Sequence, residues 1–196
     1  MEAAIDTVRA LCGTTMRVSR VYIFEEISPT TTANTYEWCA PGISPAIQDL
    51  QNLDKDAYNY NAIMSSSGMI ITSDTAQLPE NDRLVLERPG IKSIAILPLY
   101  HYDTPLGYMG FDDCVHNRAW TTGEIQLLKS AASIVASLLN RRNAERQSRR
   151  GREILRTVTD NLEELVYITD LETYELKFVS KSLRRALRKT SRDLLG

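Results

Sequence analysis

Reactive side chains are scarce in this chain. It has two histidines and three cysteines in 196 residues, and only Cys114 and His116 stand close, directly after Asp112 and Asp113. A thiol beside an imidazole can serve as an activated nucleophile. Thiol, imidazole and carboxylates together can ligate a metal. The spacing supports neither: there is no Cys-x-x-Cys and no His-x-x-x-His, no glycine-rich oxyanion turn accompanies Cys114, and His101, Cys12 and Cys39 stand alone. The stretch reads as the polar end of a strand, with the cysteines as small buried residues. No catalytic residue and no metal ligand is assigned, and the sequence names no cofactor.

Binding chemistry is better supplied. Tyr36, Trp38, Tyr58, Tyr60, Tyr108 and Trp120 provide enough aromatic surface to line a cavity. Glycine inside a strand marks a place where a ligand or another backbone comes close, and Gly110 stands between Tyr108 and Asp112. The candidate small-molecule site is Trp38, Tyr58, Tyr60, Met64, Ser93, Tyr108, Gly110, Asp112 and Cys114. The competing reading is that these aromatics only pack a core.

A hairpin must position these residues. Residues 91–100 are apolar on both alternations, so both faces of that strand are expected to be covered. A polar turn ending in Pro105 leads into a second strand that finishes at Cys114. On it Tyr108, Gly110, Asp112 and Cys114 share one face, and Gly107, Met109, Phe111 and Asp113 the other. Further strands are expected at 18–25, 35–40 and 69–73, with helices at 2–12 and 80–88 and irregular short helices and loops over 43–68. Pro89-Gly90 stops the helix before the hairpin.

The order Ser93, an apolar run, Pro98-Leu99, a short turn, then Gly107-x-x-Gly110 resembles the core hairpin of a GAF domain, over roughly residues 1–145. The resemblance implies an α/β (α+β) fold: an antiparallel sheet with the terminal helices on one face and 43–68 and 74–90 as a lid on the other. It also implies a regulatory sensor module of a bacterial signal-transduction protein. Some members bind cyclic nucleotides through an Asn-Lys, Phe and Asp-Glu set; Phe111-Asp112-Asp113 only echoes it. Photoreceptor members attach a bilin through cysteine, and GAF-fold methionine-sulfoxide reductases use lid cysteines; residues 43–68 contain none.

Beyond the hairpin the chain changes character. Residues 1–120 hold 8 Lys/Arg and 15 Asp/Glu, whereas 121–196 hold 15 and 10, so an acidic front precedes a basic rear. Thr121 or Thr122 caps a long helix in which Ile125, Leu128, Ala132, Val135 and Leu139 recur at three- and four-residue spacing. That stripe predicts a parallel homodimer; the alternative is a helix packed on its own sheet. The arginine-rich stretch 141–152 lacks interleaved aromatics, so it reads as a solvated linker within a signalling helix over 141–163, not as a nucleic-acid contact.

Residues 154–196 resemble the beginning of a PAS domain: a helix, the strand Leu165–Asp170, a turn, the strand Glu175–Ser180, a basic helix over about 182–190 and a closing segment 191–196 that ends in Leu195-Gly196. The later PAS strands and an output domain, a diguanylate cyclase or a histidine kinase, are expected beyond residue 196. No apolar run reaches the ~20 residues of a membrane helix. The N-terminus lacks a signal core, and an odd, scattered set of cysteines fits a reducing compartment, so a cytoplasmic location is expected. A ligand-free dimerisation module remains the alternative function.

Overall fold

A computed structural model describes residues 1–56, 69–78, 80, 83, 90–161 and 166–187. The chain divides into two compact units, Met1–Arg142 and Asn143–Gly196. In the first, strands β1 (Arg20–Glu26), β2 (Thr31–Cys39), β3 (Leu53–Asp54), β4 (Ile70–Thr72), β5 (Ser93–His101) and β6 (Thr104–Asp113) form one antiparallel sheet in the order β3-β2-β1-β6-β5-β4. The expected mixed α/β architecture with an antiparallel sheet is therefore what forms. The two-residue β3 was not anticipated, because so short a pairing leaves no periodic signature.

Alternation along the strands creates two apolar layers. Val21 and Ile23 of β1, Ala95, Leu97 and Leu99 of β5, and Met109 and Phe111 of β6 share one core with helix α1 (Glu2–Met16) and the first part of helix α2 (Thr122–Asp160). Tyr22, Phe24, Ile94, Ile96 and Tyr108 point the other way and meet Leu50, Leu53 and Ile91. Burying each large apolar side chain is worth roughly 1.5–3 kcal/mol, so the doubly covered β5–β6 hairpin anchors the fold. We refer to these surfaces as the helix face and the lid face. Residues 57–68, and most of 79–89, lie outside the described residues.

Helix α2 opens with a reciprocal cap. Thr121 Oγ1 accepts the Glu124 N–H (3.2 Å), and Glu124 Oε2 accepts the Thr121 N–H (2.8 Å). Its apolar stripe does not behave as a free seam. Leu128, Ala132, Val135 and Leu139 are 0–5 % exposed and belong to the helix-face core of their own chain. Of the residues assigned to a dimer seam, Ile125, Leu128, Ala132, Val135 and Leu139, the last four thus pack within their own chain. Three- and four-residue spacing serves packing on a sheet as well as packing on a partner helix, and here the sheet takes the stripe. The exposed apolar residues of this stretch are Leu127 and Ile134, one heptad apart on the outer side.

The second unit contains the rest of α2, a hairpin of β7 (Tyr167–Thr169) and β8 (Leu176–Val179), and helix α3 (Lys181–Leu187). Asp170 Oδ1 accepts the N–H groups of Glu172 and Thr173 and forms the turn. Ser180 Oγ caps α3 by accepting the Leu183 N–H. Tyr167, Leu171 and Tyr174 are exposed, so this hairpin buries little of its apolar surface.

Candidate functional site

The lid face is built as a ladder between two strands. Register pairs Arg20 with Asp112, Tyr22 with Gly110 and Phe24 with Tyr108. At one end the Phe24 and Tyr108 rings stack at 4.7 Å and 11°. In the middle the Tyr22 ring lies across Gly110, where a Cβ would come within 2.1 Å of it. At the other end Tyr22 Oη donates to Asp112 Oδ1 (3.0 Å), and Arg20 Nη1 stands 3.7 Å from Asp112 Oδ2. Arg20 also donates to the Ser44 carbonyl (3.1 Å) and, through Nη1, to Cys114 Sγ (3.5 Å). A fully buried carboxylate, guanidinium and phenol thus share one cluster.

Burial sets the protonation of this cluster. It pushes the Asp112 carboxyl up to about 7, against the Tyr22 hydrogen bond and the Arg20 charge, which favour ionisation. Tyr22 titrates well above its ordinary range, from burial first and the neighbouring Asp112 charge second. Burial also raises Cys39, to about 11, and Cys114. These thiols stay protonated near neutrality, whereas nucleophilic chemistry needs the thiolate. Cys114 Sγ turns to Arg20, while exposed His116 stands nearest Asp113, Nδ1 to Oδ1 3.8 Å. Among the described residues no three His, Cys, Asp or Glu side chains cluster to hold a metal.

Of the residues expected to line a ligand site, Tyr108, Gly110, Asp112 and Cys114 do share the lid face. Trp38 and Ser93 do not. Trp38 opposes Val21 on the helix face and lies against Gly13 of α1, where a Cβ would meet its ring at 2.2 Å. Ser93 pairs with Asp113 and bonds the His116 carbonyl (3.3 Å). Tyr36 and Trp120 likewise join the helix-face core. Tyr58, Tyr60 and Met64 lie outside the described residues. The gap expected over Gly110 is filled by Tyr22.

Sequence reasoning missed Arg20, Tyr22, Phe24 and Asn34. The first three were legible as alternate positions of one strand; Asn34 was not, because a bulge places it. Asn34 is 1 % exposed, it opposes Phe24, and neither its Oδ1 nor its Nδ2 has a partner among the described residues. A buried unpaired polar group costs about 1–3 kcal/mol. A separate open groove of about 350 Å³ lies between β5 and α2, lined by Leu97, Tyr100, Lys129 and Ser133.

A ladder of this kind on an antiparallel sheet, backed by α1 and the first part of α2, makes a small mixed α/β domain. Residues 1–139 match the family model described as GAF domain, and the chain belongs to that family. It is 33% identical over 142 residues to the methanogenesis regulatory histidine kinase FilI of Methanothrix harundinacea (strain 6Ac), covering 69% of this chain and 16% of that protein. The chain thus spans a small part of that relative's length. The photoproduct state of GAF3 from Slr1393 of Synechocystis sp. PCC6803 aligns at 18% identity with a TM-score of 0.62, covering 74% of this chain and 97% of that one. A domain of a putative two-component sensor histidine kinase protein from Sinorhizobium meliloti 1021 aligns at 12% identity with a TM-score of 0.60, covering 76% and 97%. At such identities the structural likeness is one of fold alone.

Proposed function

We propose that this chain is the regulatory input of a cytoplasmic signal-transduction protein, that its lid face receives a small molecule, and that helix α2 carries the response toward an output domain. The observation that carries this reading is the lid-face cluster, where Arg20, Tyr22, Asp112 and the Asn34 amide, unpartnered among the described residues, sit inside an otherwise apolar layer. Polar groups are costly there, so their presence favours recognition over simple packing. The relative that is a histidine kinase favours a kinase output over a diguanylate cyclase. We assign the sensor to 1–145, the linker to 141–163 and the first part of a PAS domain to 154–196, with a homodimer formed through α2.

A second reading has its own support. The Phe24–Tyr108 stack and the Tyr22 ring over Gly110 fill space that a bound molecule would otherwise take, as in a ligand-free dimerisation module. The redox-enzyme and bilin readings draw less support, because the thiols are held protonated and residues 43–56 and 69–78 carry no cysteine. Native mass spectrometry of the purified chain decides between sensor and module. A retained small molecule, released on unfolding and lost in Phe24→Ala, is the outcome expected of the sensor. A chain of bare mass under all conditions, with no stabilisation by a metabolite library, favours the module.

A further inference from the structure

We propose that the side-chain amide of Asn34 recognises a small, neutral, planar ligand bearing a cyclic-amide edge, with an N–H and a C=O side by side. The proposal rests on the lid face being the ligand face.

The position of Asn34 is specified by the backbone. Ile23 of β1 pairs with Tyr36 of β2, but the next rung pairs Phe24 with Asn34, so Thr35 is an extra residue. Such a bulge re-aims side chains and is common beside functional sites. Without it Thr35 would oppose Phe24. With it Asn34 faces the lid, and Thr35 turns to the opposite side, where its Oγ1 donates to Glu25 Oε1 (2.7 Å).

The main chain of Asn34 is fully used. Its N–H donates to the Leu50 carbonyl (2.8 Å), and its carbonyl accepts from Gln51 Nε2 (2.7 Å). Any residue could make those bonds, so they give no reason for an asparagine. The side chain, 1 % exposed, lies on the layer of Phe24, Tyr108, Leu50 and Leu53 with both polar atoms unpaired among the described residues. Native proteins rarely leave both ends of a buried amide unmatched.

The chemistry of the missing partner follows from the amide itself. It offers one acceptor and a pair of donors in one plane. A carboxylate would satisfy the donors and repel Oδ1; a cation would do the reverse. A lactam, a cyclic imide or a nucleobase edge satisfies both at once. The apolar surroundings penalise a net charge, and the neighbouring Phe24–Tyr108 stack suits a flat ring.

The test uses the isotope-labelled chain with assigned Asn34 side-chain amide signals. The probes are δ-valerolactam and uracil, with their N-methylated forms as controls. The unmethylated probes should shift the Asn34 signals and the methylated ones should not. Asn34→Leu should weaken the response at least about tenfold, the loss expected when a buried hydrogen-bonded pair is removed, and should melt no lower than wild type. Equal response to methylated probes, an undiminished response in Asn34→Leu, or a lower melting temperature for that variant, as a structural water would cause, overturns the proposal. A small molecule retained equally by wild type and Asn34→Leu in native mass spectrometry overturns it while the sensor reading stands. If nothing is retained and no lid-face signal responds to any probe, both fall.

Discussion

Glu25 and Arg142, 117 residues apart in sequence, meet in a buried two-pronged ion pair on the helix face. Arg142 Nη1 donates to Glu25 Oε1 (3.0 Å) and to Tyr36 Oη (3.0 Å), Nη2 reaches Oε2, and Thr35 Oγ1 donates to the same carboxylate (2.7 Å). Burial works against the charge on Arg142, yet the bonds to Glu25 and Tyr36 hold its pKa above the ordinary value. The pair ties α2 to β1 at the last residue of the first unit. One residue back along each strand, Phe24 and Asn34 face the lid. One step on each strand thus separates the lid-face pair Phe24 and Asn34 from Glu25, which binds Arg142 of α2, and from Thr35, which binds Glu25.

Breaking one side of this pair should be costly. Arg142→Ala leaves Glu25 buried and uncompensated, a loss of about 3–5 kcal/mol. Replacing both, as Glu25→Leu with Arg142→Leu, should recover most of it, because the desolvation penalty goes with the charges. Denaturant unfolding of the two variants measures the difference. Equal stability of the single variant and wild type would show that the pair contributes nothing.

Asp112 predicts a pH dependence with a definite sign. Its folded pKa, about 7, lies above the roughly 3.9 of an unfolded aspartate. Between those values the folded chain keeps a proton that the unfolded chain has released, so stability falls as pH rises from about 4 to about 7 and then levels. Asp112→Asn should remove that part of the slope. Melting curves of wild type and variant across the window check it, and a parallel slope in both would contradict the assignment.

The glycines of β6 should rank by what they face. At Gly107 a Cβ would lie 1.8 Å from the Phe24 carbonyl oxygen, and its φ is +140°, so both space and backbone resist a side chain. At Gly110 the obstacle is the Tyr22 ring, which can move only by giving up its bond to Asp112. Gly110→Ala should cost about 1–3 kcal/mol, and Gly107→Ala more. Equal melting temperatures for the two would refute the ranking.

The sheet was legible because 91–100 is apolar on both alternations, as a strand covered on both faces must be, and 106–114 separates two distinct faces by strict alternation. The site was half legible. Tyr108, Gly110, Asp112 and Cys114 follow strict alternation. Trp38 was misplaced because alternation puts Tyr36 and Trp38 on one face of β2 and Glu37 and Cys39 on the other without revealing which face the helices cover. Asn34 was invisible because an inserted residue breaks the period of two on which strand reading depends. The helix stripe was legible as a period but not as to its partner: Leu128, Ala132, Val135 and Leu139 pack on the chain's own sheet.

The same helix supplies the test of self-association. Leu127 and Ile134 are 45% and 51% exposed, and they sit one heptad apart on the side of α2 away from its sheet. Within residues 122–142 a homodimer through α2 must use this outer side, since the inner stripe is already buried. Leu127→Glu with Ile134→Glu should therefore yield a folded monomer. Val135→Glu, at 0 % exposure, should instead unfold the domain, because it places an unpaired charge in the helix-face core. Sedimentation separates association, and circular dichroism separates folding. An interface worth about 7 kcal/mol would be half occupied near 10 μM. A wild type that stays monomeric at several times that concentration would remove α2 as the dimer element, and an outer-face double variant that still dimerises would remove its first part, residues 122–142, from the interface.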